Sequence, residues 1–141
     1  MASIRNGIGE NMEDRYLFKA KHFKEWHIGN IVKEPDGLYI RDIKENVMAY
    51  IDDESTICQC TGLKDKNGNL IWENDIVGFW DTYSTENGQA EMDCIGKVVW
   101  DDETISFQVT NRLSAESYEV LDECSVIGNI FDNPELLESE E

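Results

Sequence analysis

Short runs of β-branched and aromatic residues alternate with polar ones and are cut every few positions by Gly, Pro, Asn or Asp, and this patterning limits the fold most. Ile105, Phe107 and Val109 alternate with Ser106, Gln108 and Thr110. A period of two sends one set to each face of an extended strand. Lys66-Asn67-Gly68-Asn69 sits between Leu63 and the Leu70-Ile71-Trp72 run, and Asn-Gly is the strongest short hairpin signal because both residues tolerate positive φ. Pro35-Asp36-Gly37 is a second turn, with Pro fixing φ and Gly accepting the positive φ that follows.

On these signals strands are predicted near 15–20, 25–33, 38–43, 47–51, 57–61, 75–81, 93–100, 104–110, 118–121 and 125–131. A polar loop is expected over 82–91 and an acidic turn over 101–103. The strands of the second half suggest a small closed barrel, since closure removes the edges that invite aggregation. Asp132-Asn133-Pro134-Glu135-Leu136-Leu137 reads as the start of a helix of one or two turns, with Asn133 as N-cap and Pro134 at the first helical position. The fold class is therefore mainly β. Residues 1–11 read as a flexible arm, 12–62 as an N-terminal β-rich subdomain, 63–133 as the barrel, and 134–141 as a short helix with an acidic tail.

The 141 residues carry 12 Lys+Arg against 30 Asp+Glu, a formal net charge of −18. A basic nucleic-acid reader is excluded, because it needs a cationic face to displace counterions from phosphates. Residues 1–33 hold six bases against four acids, a net of +2, so the rest of the chain carries −20. Such a field repels nucleic acid and anionic membrane and steers basic partners. The sequence has no apolar run of spanning length and no basic-then-apolar opening segment, so a cytoplasmic protein is the expectation.

Few residue patterns carry chemistry. Cys58 and Cys60 are spaced C-x-C, and with Cys94 and Cys124 they lack the C-x₂₋₄-C knuckle of structural zinc sites, so buried packing is the expected role. His22 and His27 are five apart, which on one strand sends them to opposite faces and prevents chelation of one ion. No Ser occupies a G-x-S-x-G elbow. Asp36, Asp42 and Lys44 superficially match a PD…D-x-K nuclease pattern, but the spacing is short and Asp36 belongs to a turn. Counting from Asp65, the twelfth residue is Ile76, so no calcium loop forms there. Gly7-Ile8-Gly9 lacks the context of a phosphate loop. No catalytic residue, cofactor or metal is expected. Trp72, Trp80 and Trp100 fall in predicted strands and are assigned to the core, which leaves Tyr83 and Tyr118, near loops, as the candidate contact surface.

Gln59-Cys60-Thr61-Gly62-Leu63-Lys64-Asp65-Lys66-Asn67-Gly68 is followed by Ile71-Trp72-Glu73-Asn74-Asp75-Ile76-Val77. With Val126-Ile127-Gly128-Asn129-Ile130-Phe131-Asp132-Asn133-Pro134-Glu135-Leu136-Leu137, these blocks resemble the YopX family of phage and prophage proteins. The likeness extends from about residue 16 to 137, taking in Trp26-His27-Ile28-Gly29 and Ile51-Asp52-Asp53-Glu54-Ser55. It implies a largely β protein whose second half is an SH3-like barrel, encoded by a phage or prophage and acting in a bacterial cytoplasm, with homo-oligomerisation plausible by analogy. It brings no catalytic residues. Gln59, Thr61, Gly62, Leu63, Asn67, Gly68, Asn74, Asp75, Ile76, Gly128, Asn129 and Pro134 are its structural motif positions. The family usually has Glu-Gly-Asp-Ile where this chain has Glu73-Asn74-Asp75-Ile76, so Asn74 is predicted at positive φ.

The leading expectation is a non-catalytic accessory protein working through contact with an unidentified host or phage protein, without direct nucleic-acid or membrane binding. The alternatives are an acidic DNA mimic that inhibits a host nucleic-acid-binding protein, and a metal-dependent hydrolase drawing on the surplus carboxylates.

Overall fold

The computed structural model describes residues 14–110, 117–119 and 123–138, without the side chains of 81–83, 117–119 and 138. The expected arm at 1–11 lies outside the described residues. The described chain is mainly β, and it divides into two compact units, Met1–Gly62 and Leu63–Glu141.

In the first unit β1 (Phe18–His22), β2 (Glu25–Glu34), β3 (Gly37–Asp42) and β4 (Met48–Tyr50) form successive antiparallel hairpins. The chain then returns to set β5 (Cys58–Lys64) against the free side of β1, giving the order β4-β3-β2-β1-β5. The Pro35-Asp36 turn joins β2 to β3 as predicted, with Gly37 at φ 147°. Alternation delivers one face of the sheet to a core of Ala20, Ile40, Ala49 and Ile51, flanked by Ile31, Leu38 and Ile57. The returning segment contains a 3₁₀ turn, Glu54–Thr56. Asp53 caps it by accepting from the Ser55 N–H at 3.0 Å and the Ser55 hydroxyl at 2.6 Å.

In the second unit the end of β5 and β6 (Leu70–Trp72) flank the Asn67-Gly68 turn, where Gly68 has φ 85°. Next come β7 (Asp75–Thr85), β8 (Gly88–Asp101), β9 (Ser106–Thr110), β10 (Ser117–Glu119) and β11 (Ser125–Asn129), in the order β10-β9-β8-β7-β11. Its core is Ile71, Val77, Val98, Val109 and Cys124, with Phe79, Phe107 and Val126 packed against it. A helix of one turn, α1 (Glu135–Glu138), follows.

Several expectations are corrected. The second unit's sheet is open rather than a closed barrel, with β10 and β11 at its two edges among the described residues. The polar stretch 82–91 is no loop: β7 and β8 continue as paired strands to a two-residue turn at Glu86-Asn87, ten pairs running from Ile76↔Lys97 to Thr85↔Gly88. Thr82, Tyr83 and Thr85 of β7 are residue types that suit a pleat, and Glu86-Asn87 turns into Gly88 at φ 122°, a turn that the polar composition masked. Trp72 is core, but Trp80 and Trp100 are 62% and 44% exposed. Trp80 occupies the face opposite Val77 and Phe79. Ile105 leaves the alternating set, since the turn preceding β9 holds it at φ 54° with its side chain exposed. The Asn133 amide oxygen accepts from the Asn129 N–H at 3.2 Å instead of capping the helix.

Candidate functional site

Of the three buried carboxylates among the described residues, Asp42, Asp65 and Asp75, the first two each tie a turn to a strand distant in sequence, one in each unit. Asp65 accepts at Oδ1 from the N–H groups of Asn67 (2.9 Å) and Asn69 (2.8 Å), and at Oδ2 from the N–H of Val126 (2.8 Å). One side chain thereby shapes the Asn-Gly turn and ties β11 to it. Burial raises the Asp65 pKa, but the N–H bonds from Val126, Asn69 and Asn67 outweigh it and hold the carboxyl below its ordinary value. Asp42 accepts at Oδ1 from the N–H groups of Lys44 (2.8 Å) and Glu45 (2.9 Å) and at Oδ2 from Nδ1 of His27 (2.8 Å). Its carboxyl is lowered chiefly by the Glu45 N–H, then by His27, against opposing burial.

The residues of the nuclease-like pattern take part in turns and hydrogen bonds. Asp42 is committed to a turn and to His27, and Asp36 accepts from the Tyr39 hydroxyl at 2.9 Å. Among the described residues, ligand atoms of His27, Asp42 and Glu45 lie within 4.8 Å of one another, the one His/Cys/Asp/Glu group of three or more so placed. The reading of the histidines also needs correction. His22 ends β1 and His27 lies in β2, across a tight turn at Phe23-Lys24, so the single-strand spacing rule does not apply. The pairs Ala20↔His27 and His22↔Glu25 place both imidazoles on one face, with ring centres 6.3 Å apart.

The four cysteines are buried, in keeping with the packing role expected of them. Cys124 belongs to the second unit's core, and the Cys58 thiol donates to the Thr56 carbonyl at 3.3 Å. The motif positions serve the backbone. Gln59 donates from Nε2 to the Arg15 carbonyl, Thr61 is buried, Gly62 has φ 82°, and Leu63 is exposed. Asn67 donates to the Ser125 hydroxyl at 3.0 Å. Asn74 adopts φ 72°, as predicted, and next to it Asp75 accepts from the Trp72 N–H at 2.8 Å while Ile76 is fully buried. Gly128 leaves room for the Asn133 amide, Asn129 accepts at Oδ1 from Phe131 and Asp132, and the Pro134 carbonyl accepts from Leu137.

The clearest candidate for contact is the β7–β8 arm. β11 pairs only with Asp75–Gly78 of β7, and β9 only with Lys97–Asp101 of β8. From Trp80 to Asp93 the two strands therefore pair only with each other among the described residues. The described side chains from Ser84 to Gln89 and from Glu91 to Asp93 are exposed. The stretch 79–96 contains Asp81, Glu86, Glu91 and Asp93 and no Lys or Arg. At its base Trp80, Gly78 and Ile127 border a groove of about 290 Å³, with Lys66, Asp93 and Glu123 on its rim. Tyr83 and Tyr118 pair in the backbone with Ala90 and Val109, but their side chains lie outside the described ones. Strand membership does not amount to burial for Trp80, which lies on β7 beyond the residues that β11 covers.

Comparison with protein families finds that the model described as YopX protein matches residues 21–138. No curated protein matches the chain. Among the described residues no helix is long and apolar enough to cross a membrane.

Proposed function

The chain belongs to the YopX family, and from that premise we propose that it is a phage- or prophage-encoded accessory protein of the bacterial cytoplasm, non-catalytic, that works by docking its β7–β8 arm onto a basic protein partner. The observation that carries this reading is the arm itself, a ribbon with acids and no bases, two edges unpaired among the described residues, and Trp80 exposed at its base. A two-stranded ribbon alone is marginal in water, and unpaired edges are templates for strand addition. Exposed Trp beside an apolar groove is the side chain most often found at the centre of binding energy. The acids steer encounter and make it salt-dependent. The accompanying fold reading is an open SH3-like barrel, supported by the return of β11 to lie beside β7.

The experiment is an affinity capture from host lysate at low and high salt, comparing the native chain with Trp80→Ala and with Glu91→Lys/Asp93→Lys. A basic protein should be retained at low salt, released at high salt, and lost with both variants. Recovery of the same proteins by all three chains refutes the arm as the contact surface.

A further inference from the structure

Both imidazoles of the first unit are held from behind by an acceptor. His22 places Nδ1 at 2.8 Å from the Tyr50 carbonyl oxygen, which can only accept, so Nδ1 carries the proton. His27 places Nδ1 at 2.8 Å from Asp42 Oδ2. That carboxylate already takes two backbone N–H bonds on its other oxygen, which favour the ionised, acceptor-only form, so this Nδ1 is also the donor. In the neutral state each ring therefore presents a lone pair at Nε2, and neither Nε2 has a hydrogen-bond partner among the described residues. An Nδ1–H donated to a carboxylate or backbone carbonyl, with Nε2 left open, is the support that metal-binding histidines almost always have.

We propose that Nε2 of His22 and Nε2 of His27 form a two-nitrogen site for a divalent transition metal of the zinc, nickel or copper class, with Asp42 and the Tyr50 carbonyl fixing the two rings from behind. The ring centres are 6.3 Å apart. Two imidazoles on one ion, at metal–nitrogen bonds of about 2.1 Å, put their ring centres roughly 5 to 6 Å apart. His27 is buried and clamped between β2 and β3, whereas His22 is only half-buried at the end of β1, so a small torsional rotation of His22 closes the difference. Water completes the shell, because Asp42 already faces Nδ1 of His27, on the side of the ring away from the ion. Imidazole nitrogen selects borderline metals over magnesium or calcium, which prefer oxygen.

The test is long-range ¹H–¹⁵N NMR of the imidazoles on the full, untagged chain, titrated with Zn²⁺ alone. Reading at ring nitrogen separates this site from any thiol binding. Before metal, both rings should show a protonated Nδ1 and an unprotonated Nε2, the minor tautomer of free histidine. On titration both Nε2 signals should shift together and saturate at one equivalent. His22→Gln, at a half-buried position, should keep the fold and weaken the His27 response at least tenfold, and Asp42→Asn should weaken it by about 10- to 100-fold. Protonated Nε2 on either ring, no Nε2 response at millimolar Zn²⁺, or equal affinity in His22→Gln overturns the proposal.

Discussion

The two units meet one structural need with the same device and differ in a single partner. In each, a buried aspartate uses one oxygen to close a local turn and the other to hold a strand distant in sequence. Asp65 holds β11 through the Val126 N–H, while Asp42 holds β2 through His27. A backbone amide is a fixed donor. An imidazole can change tautomer, take up a proton or bind a metal. The second unit's anchor is therefore purely structural, and the first unit's anchor couples folding to the chemistry of a side chain.

The largest effect concerns close approach of strands, where the units again run parallel. A Cβ on Gly29 would run into the backbone carbonyl of Arg41, and one on Gly96 would meet a methyl of Val109 and, at 2.7 Å, the carbonyl of Thr110. Backbone yields less readily than a methyl group. Gly29→Ala is expected to destabilise by about 3 kcal/mol or more and Gly96→Ala by about 2. Urea unfolding followed by tryptophan fluorescence checks both. The reverse ranking would show that β2 and β3 separate more easily than their packing suggests.

The aspartates test the comparison directly. Asp65→Asn turns a donating –NH₂ towards backbone N–H groups that cannot rotate away, and should cost about 2–3 kcal/mol. Asp42→Asn should cost only about 1 kcal/mol, because the new –NH₂ can donate to His27 Nδ1 once that ring moves its proton to Nε2. Equal losses in the two variants would erase the distinction between a fixed and an adaptable partner.

Acid exposes what the anchors share. Both carboxyls are depressed in the folded chain, Asp42 first by the Glu45 N–H and Asp65 by N–H bonds that overcome its burial. The unfolded chain takes up protons first as pH falls, so the stability these groups contribute is complete above the unfolded carboxyl value of about 3.9 and is lost as pH drops through the folded values below it. Unfolding free energy should therefore fall steeply below about pH 4. Each Asp→Asn change should flatten that limb, and an unaltered acid slope in either variant would show that its aspartate is not an anchor.

Much of this was legible in the residues. Asn67-Gly68, Pro35-Asp36-Gly37 and the alternation through Phe107 and Val109 mark turns and strands by local stereochemistry, and the positive φ of Asn74 follows from the same source. What a local pattern does not encode is which partner a strand finds. Trp80 looks like core until it is known that β11 stops pairing at Gly78, and the polar 82–91 stretch looks like loop because none of its described side chains, from Ser84 to Glu91, is buried to declare a strand. His22 and His27 fail the single-strand spacing rule for a related reason: the turn between them changes which residues are neighbours. The carboxylate anchors are hidden among 30 acids until burial narrows the choice to Asp42, Asp65 and Asp75.

The smallest effect comes from the left-handed asparagines, one in each unit. Asn46 at φ 55° donates its N–H to the Asp42 carbonyl at 2.8 Å, and Asn74 at φ 72° donates to the Val98 carbonyl at 2.8 Å while its own carbonyl accepts from Ile130. If backbone geometry selects these residues, glycine should serve at either position within about 0.5 kcal/mol, whereas alanine should cost about 1 kcal/mol from its Cβ clash in the left-handed region. Asn46 also accepts a long 3.4 Å bond from Arg41, an exposed contact that adds little. The Gly and Ala variants at both sites, compared by midpoint of urea unfolding, should fall in the same order in both units. A glycine variant weaker than its alanine counterpart at Asn74 alone would mean that side-chain bonds hold that turn, making the second unit less of a backbone-built structure than Asp65 and Val126 imply.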